Sequence, residues 1–207
     1  MLFPMVHWTD DLGAADWLAE AMTTFAFDVT SVVPAGFAAY ARLPHTGPDP
    51  DDRWRGALPP EQLLALADAL APHARGTVWF AIWDGYGWAG DRGSFAVAGH
   101  DPAEVAAEEA RLRTRQEAFR ATLPTARLHL PERDYMVYYG TITEAAVSFG
   151  WHHANLWWPD DRSWCVATEI DLSTTYIAGS DEVIDAVVRI GAHRVAPEAP
   201  IGEHAGD

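Results

Sequence analysis

Hydrophobic and polar positions alternate with two different periods along this chain. From Trp164 to Asp171 the period is two: Trp164, Val166, Thr168 and Ile170 fall on one side, Cys165, Ala167, Glu169 and Asp171 on the other, as side chains do along a strand. The first side predicts core; the second turns acidic towards its end. Phe37 to Leu43 alternates likewise, with Phe37, Ala39, Ala41 and Leu43 against Tyr40 and Arg42, which predicts a half-exposed strand. Thr77 to Trp83 and Asp134 to Tyr139 are apolar on both sides and predict strands covered on both faces. Thr174 to Ile177 is β-branched and aromatic, a strand returning after a turn at Asp171–Ser173 and ended by Gly179. Asp84-Gly85 reads as a turn, followed by a glycine-rich ragged strand or loop to Val97.

The longer period marks helices. Leu12, Ala15, Ala19 and Met22 predict a helix from Asp10 to Phe25, with Thr9 as its N-cap. Pro60 to Ala71 is a Leu/Ala helix opened by proline. Asp101-Pro102-Ala103-Glu104 starts a long helix to about Thr122 whose narrow apolar seam leaves most of it in water. Thr141 to Glu144 is a capping box for a short helix to Phe149. Ser180 caps a helix from Asp181 to Ile190, and Gly191 stops it. Pro44 to Gly56 is a loop, and residues 192–207 read as a loose tail. With no internal repeat and no linker, this order predicts one α+β domain over residues 1–191, a mainly antiparallel sheet with flanking helices.

Composition narrows the function. The chain has 207 residues, 49% of them hydrophobic, and a formal net charge of -16; every basic residue is arginine. That balance argues against nucleic-acid and anionic-membrane partners, which require basic surfaces. One cysteine fits a reducing compartment, and the N-terminus lacks the basic and long apolar regions of a signal peptide, so the expected location is the cytoplasm.

The most specific stretch is Asn155 to Ser180, which holds three of the ten tryptophans, the sole cysteine, the sole asparagine and four carboxylates. Trp157, Trp158, Asp160, Asp161, Arg162, Glu169 and Asp171 are the candidate binding residues. Adjacent tryptophans in an extended segment point in opposite directions, and Pro159 with two aspartates marks a loop, so at least one indole is expected at the surface as part of an acidic, tryptophan-rich recognition face. Glu169 and Asp171 beside aromatics are also the equipment of a glycosidase. Cys165 with His152 or His153 is a formal nucleophile–base pair, but carboxylates on the same strand face disfavour a thiolate, so Cys165 is read as structural. His152-His153 lacks metal-ligand spacing, and Asp49 to Asp52 lacks the spacing of a calcium loop, so no metal or other cofactor is expected. Arg111, Arg113, Arg115 and Arg120 form a basic belt on the long helix, interleaved with Glu108, Glu109 and Glu117, and read as a solvated face. Walker A, GxGxxG, GxSxG and zinc-ligand patterns are absent.

Three motifs, VPAGFAAYARL (Val33 to Leu43), WFAIWDGYG (Trp79 to Gly87) and NLWWPDDRSWCVATEIDLSTTYIAGS, together resemble a family of proteins from GC-rich bacteria that carries no assigned activity; the chain departs from that pattern at His45-Thr46, where His-Pro is usual. At fold level the order of elements is similar to SUKH-type immunity proteins. That resemblance implies a single α+β domain that binds a toxin or other protein without catalysis. The expected function is therefore a small binding domain for a protein or small ligand. The alternative is a carbohydrate-active hydrolase using Glu169 and Asp171.

Overall fold

The computed structural model describes residues 5–22, 26–46, 56–86 and 101–201. Among the described residues nine strands are found: β1 His7–Thr9, β2 Ala39–Pro44, β3 Val78–Trp83, β4 Leu128–Leu130, β5 Arg133–Gly140, β6 Leu156–Pro159, β7 Trp164–Thr168, β8 Thr174–Gly179 and β9 His193–Val195. They form one sheet in the order β1-β5-β3-β6-β7-β8-β2-β9, with β4 paired to β5. Every pairing is antiparallel. The helices are α1 Asp16–Ala21, α2 Pro60–Leu70, α3 Pro102–Arg120 and α4 Asp181–Val188. The architecture is thus the expected single α+β unit.

Both faces of this sheet are covered. On one, Leu43, Phe80, Tyr138, Trp157, Trp164 and Ile177 pack against Leu63, Leu66 and Leu70 of α2 and Val183, Ile184 and Val187 of α4. On the other, Tyr40, Val137, Trp158, Cys165, Tyr176 and Ala178 pack with Leu18 of α1 and with Val29, Val33 and Ile201. Alternate residues of a central strand therefore enter two different cores. This corrects the half-exposed reading of β2, where Tyr40 is as buried as Ala39.

Caps behave as the residue types dictate. The Asp101 side chain accepts from Ala103 N at the start of α3, and Ser180 from Val183 N at the start of α4. Thr141 and Glu144 form the capping box, on a 3-10 turn, Ile142–Ala146. Gly191 takes a left-handed φ of 101° just after α4.

Two further expectations are corrected. Helix α1 is six residues long, because Asp10 to Gly13 is held in side-chain turns instead. Asp11 N donates to Thr9 Oγ1, Gly13 N donates to Asp11 Oδ1, and Asp10 Oδ1 accepts from Thr125 N and Ala126 N. Residues 192–201 are not loose: β9 extends the sheet along β2, and Ile201 is buried in the α1-side core. The expectations for residues 49–52, 87–97 and 202–207 lie outside the described residues.

Candidate functional site

The seven candidate residues do not form one surface. Trp157 and Trp158 are 1% and 0% exposed. They sit on β6, in the middle of the sheet, and the expected exposed indole is not there. A turn does follow Pro159, but the exposed-indole expectation assumed a single core; with two, both indoles have somewhere to go. Trp157 stacks with Phe80 and meets Trp164 edge-on. Trp158 meets Trp17 edge-on and donates its indole N–H to Ala14 O at 3.1 Å.

Asp160, Asp161 and Arg162 occupy the turn between β6 and β7. The Asp160 carboxylate accepts from Thr77 N at 2.8 Å and from Trp79 Nε1 at 2.5 Å, tying this turn to the start of β3. Asp161 Oδ1 accepts from Ser163 N within the turn. Arg162 has a left-handed backbone, φ 54°, and its guanidinium lies over the Trp17 ring. These side chains fasten a turn. Glu169 and Asp171 follow the opposite end of β7, separated from that turn by a five-residue strand, about 17 Å of extended chain.

At that opposite end a site is built that the candidate residues only partly anticipate. Strands β4 and β5 are joined by Pro131-Glu132. Proline followed by a residue with φ 69° is the pattern of a type II turn, whose second position normally belongs to glycine or asparagine. The turn presents Arg133 at the start of β5, on the same sheet face as Tyr135 and Val137. Arg133 Nε donates to Glu169 Oε2 at 3.2 Å, its Nη2 donates to Glu169 Oε1 and, at 3.4 Å, to Asp171 Oδ2, and the guanidinium lies 5.3 Å from the Trp83 ring centroid. Burial works against the Arg133 charge, but hydrogen bonding and attraction from Glu169, helped by Tyr135 and Asp171, raise its pKa above the ordinary arginine value. The turn carrying the two carboxylates is held by Gly56, whose N–H donates to Leu172 O. Gly56 has φ 69°, and a Cβ there would lie 2.7 Å from Ile170 O, so no other residue fits without displacing the backbone.

Around this ion cluster opens a cavity of about 520 Å³, within the range that small-molecule sites occupy. Its walls are apolar on the α1 side (Met22, Phe27, Val32, Ile201) and charged on the sheet side (Glu132, Arg133, Glu169, Asp171), with Tyr135, Leu130 and Leu172 between. Burial, with Glu169 adding to it, pushes the Tyr135 hydroxyl up, so it is a neutral phenol at any physiological pH. Three described non-glycine residues have a left-handed backbone, and two of them, Phe27 and Glu132, line this cavity. Such conformations cost of order 1–3 kcal/mol and gather at functional sites.

Arg133, Glu132 and Phe27 were not singled out in the sequence. The signal available for Arg133 was its place at the start of a strand apolar on both faces, where an arginine needs a carboxylate partner. Phe27 and Glu132 carry no comparable signal, since a left-handed backbone at such residues is set by the surrounding fold.

The remaining candidates resolve individually. Cys165 is buried in the α1-side core, and burial pushes its thiol up. His152 lies on the other side of the sheet, stacked at 3.6 Å on Tyr86, and His153 Nδ1 pairs with Val147 O. The cysteine–histidine pair therefore does not assemble. Among the described residues no group of three His, Cys, Asp or Glu side chains is placed to hold a metal ion, and no helix is long and apolar enough to cross a membrane. On α3, Arg111 and Arg113 pair with Glu108 and Glu109, as a solvated helix face does. No family model, curated protein or solved structure matches the chain. The class is accordingly given by the fold and the site together: an α+β domain with an antiparallel sheet covered on both faces and an amphipathic cavity at one end of it.

Proposed function

We propose that the protein is a non-catalytic binding domain, and that its ligand enters the cavity beside Arg133. The observation that carries this reading is the position of the Arg133 guanidinium, bonded to both Glu169 and Asp171. A glycosidase keeps the space between its two carboxyls for the sugar and, in inverting enzymes, a water. Here an arginine fills it, which speaks for recognition and against the hydrolase alternative. The strained residues on the rim and the apolar opposite wall support the same reading. The acidic part of the expected recognition face is retained at Glu169 and Asp171, and the tryptophans take no part in contact. A cytoplasmic setting goes with this reading, supported by the single buried cysteine.

The test is native mass spectrometry on protein isolated from its own host, before and after Leu172→Trp, which fills the cavity from its wall. A co-purifying small molecule that is lost in the variant, at unchanged melting temperature, is the expected result. Bound mass retained by the variant would place the ligand elsewhere. Turnover of a glycoside panel, lost in Glu169→Gln, would restore the hydrolase.

A further inference from the structure

We infer that the cavity beside Arg133 takes a small organic cation, an ammonium or guanidinium group carried on an apolar body. This rests on the reading of that cavity as the ligand site, and goes further by fixing the charge and shape of what it binds.

Among the described residues, the charges at the cavity are three carboxylates against one guanidinium. Glu169 and Arg133 neutralise each other: the contact is bidentate and both side chains are largely withdrawn from solvent. The other two carboxylates are not matched. Asp171 reaches Arg133 through one 3.4 Å contact with its side chain 77% exposed. The Glu132 side chain is exposed and makes no ion pair or hydrogen bond with any described residue. Among the described residues, the mouth of the cavity therefore carries negative charge that no arginine cancels.

Three kinds of ligand compete for such a space. An anion would meet like charge from Asp171 and Glu132, and the Arg133 charge it seeks is already engaged by Glu169. A neutral apolar molecule would cover Val32, Leu172 and Ile201 and use none of the charge. A cation on an apolar stem uses both halves, its head at the carboxylates and its stem on the apolar wall. Phe27 adds to the preference. The residue is 69% exposed at the cavity rim on a left-handed backbone, and aromatic side chains attract cations. The net charge of the whole chain, -16, raises the local concentration of cations around it.

The experiment is isothermal titration of the intact protein with three probes of one chain length: octylammonium, octanol and octanoate. Octylammonium is expected to bind tightest, octanol roughly tenfold or more weaker, and octanoate weakest. Asp171→Asn and Glu132→Gln should each weaken octylammonium several-fold and leave octanol unchanged, and added salt should weaken octylammonium alone. Octanol binding as tightly as octylammonium would overturn the preference for cations while the cavity reading stands. So would octanoate binding tightest, with Arg133 then the anchor. Octylammonium binding that persists in Leu172→Trp lies outside the cavity and overturns the inference. Absence of binding by all three overturns the inference and the cavity reading together.

Discussion

Trp157 and Trp158 are consecutive residues of β6 that belong to different cores, Trp157 facing α2 and α4, Trp158 facing α1. Each fills its own side of the sheet, so neither can compensate for loss of the other. Trp157→Ala and Trp158→Ala are each expected to cost about 3–5 kcal/mol, the range for deleting a buried tryptophan. Chemical denaturation of the two single variants measures this. A Trp158→Ala protein with wild-type stability would show that the α1-side core does not hold the fold.

Asn155 joins three segments from a buried position. Its Oδ1 accepts from Trp83 N at 2.9 Å; its Nδ2 donates to Tyr86 Oη at 3.0 Å and to Thr168 O at 3.1 Å. Burial pushes the Tyr86 phenol up to about 12, with the Asn155 bond acting the other way. Asn155→Leu preserves the approximate volume and leaves these buried groups without their partner, at about 1–3 kcal/mol for each group stranded. The expected result is a loss of several kcal/mol with β3 amides, Trp83 first, exchanging faster. Exchange at Trp83 unchanged in the variant would refute the clip.

Cys165 should behave as a small apolar side chain. It is fully buried, and burial holds its thiol well above the ordinary range. A thiol reagent at neutral pH should label it only as fast as the protein unfolds. Cys165→Ala should lose about 1 kcal/mol and leave ligand binding intact. Stoichiometric labelling of the native protein within seconds is the contrary outcome.

Stability should fall on mild acidification because of His152. Burial against Tyr86, with His153 beside it, lowers its pKa from 6.5 to about 4, and His153 is lowered as well by burial. The folded state thus binds the proton less readily than the unfolded chain. The contribution is complete above about pH 6.5 and is lost progressively as pH falls towards 4. His152→Phe keeps a ring on Tyr86 and removes the titration. Its unfolding free energy should vary less between pH 6.5 and 4 than that of the wild type, as read from denaturant midpoints; equal slopes would exclude the histidine as the cause.

Much of the fold was legible because its signals are local. The strands at 77–83 and 134–139 read as covered on both faces, and β3 and β5 are. The caps at Asp101, Thr141 and Ser180 needed only their own next turn. Strands β1, β4 and β9 are three residues each, and a three-residue segment carries no period; pairing with β5 or β2 makes them strands. Strand β6 was concealed by Pro159, which ends it at the point where the Asp160 turn begins. The site was half legible. Glu169 and Asp171 stood out as carboxylates ending an otherwise apolar side of the Trp164–Asp171 alternation, although β7 itself stops at Thr168; their partner lies beyond a turn in another hairpin, and no spacing rule links residue 133 to residue 169.

The position of β2 in the sheet has a consequence for how the molecule is made. Tyr40 pairs with Ala178 on one side and Val195 on the other. A ribosome delivers residues 39–44 well before either neighbour, residues 174–179 and 193–195. Until they emerge this strand has two open edges and no partner, and the α2–α4 core that it floors cannot close. Folding dominated by such distant pairings is slow, and an unpaired apolar strand is an aggregation hazard while it waits. The nascent chain should stay protease-sensitive until the segment carrying β9 has left the exit tunnel, and then become resistant in a single late step.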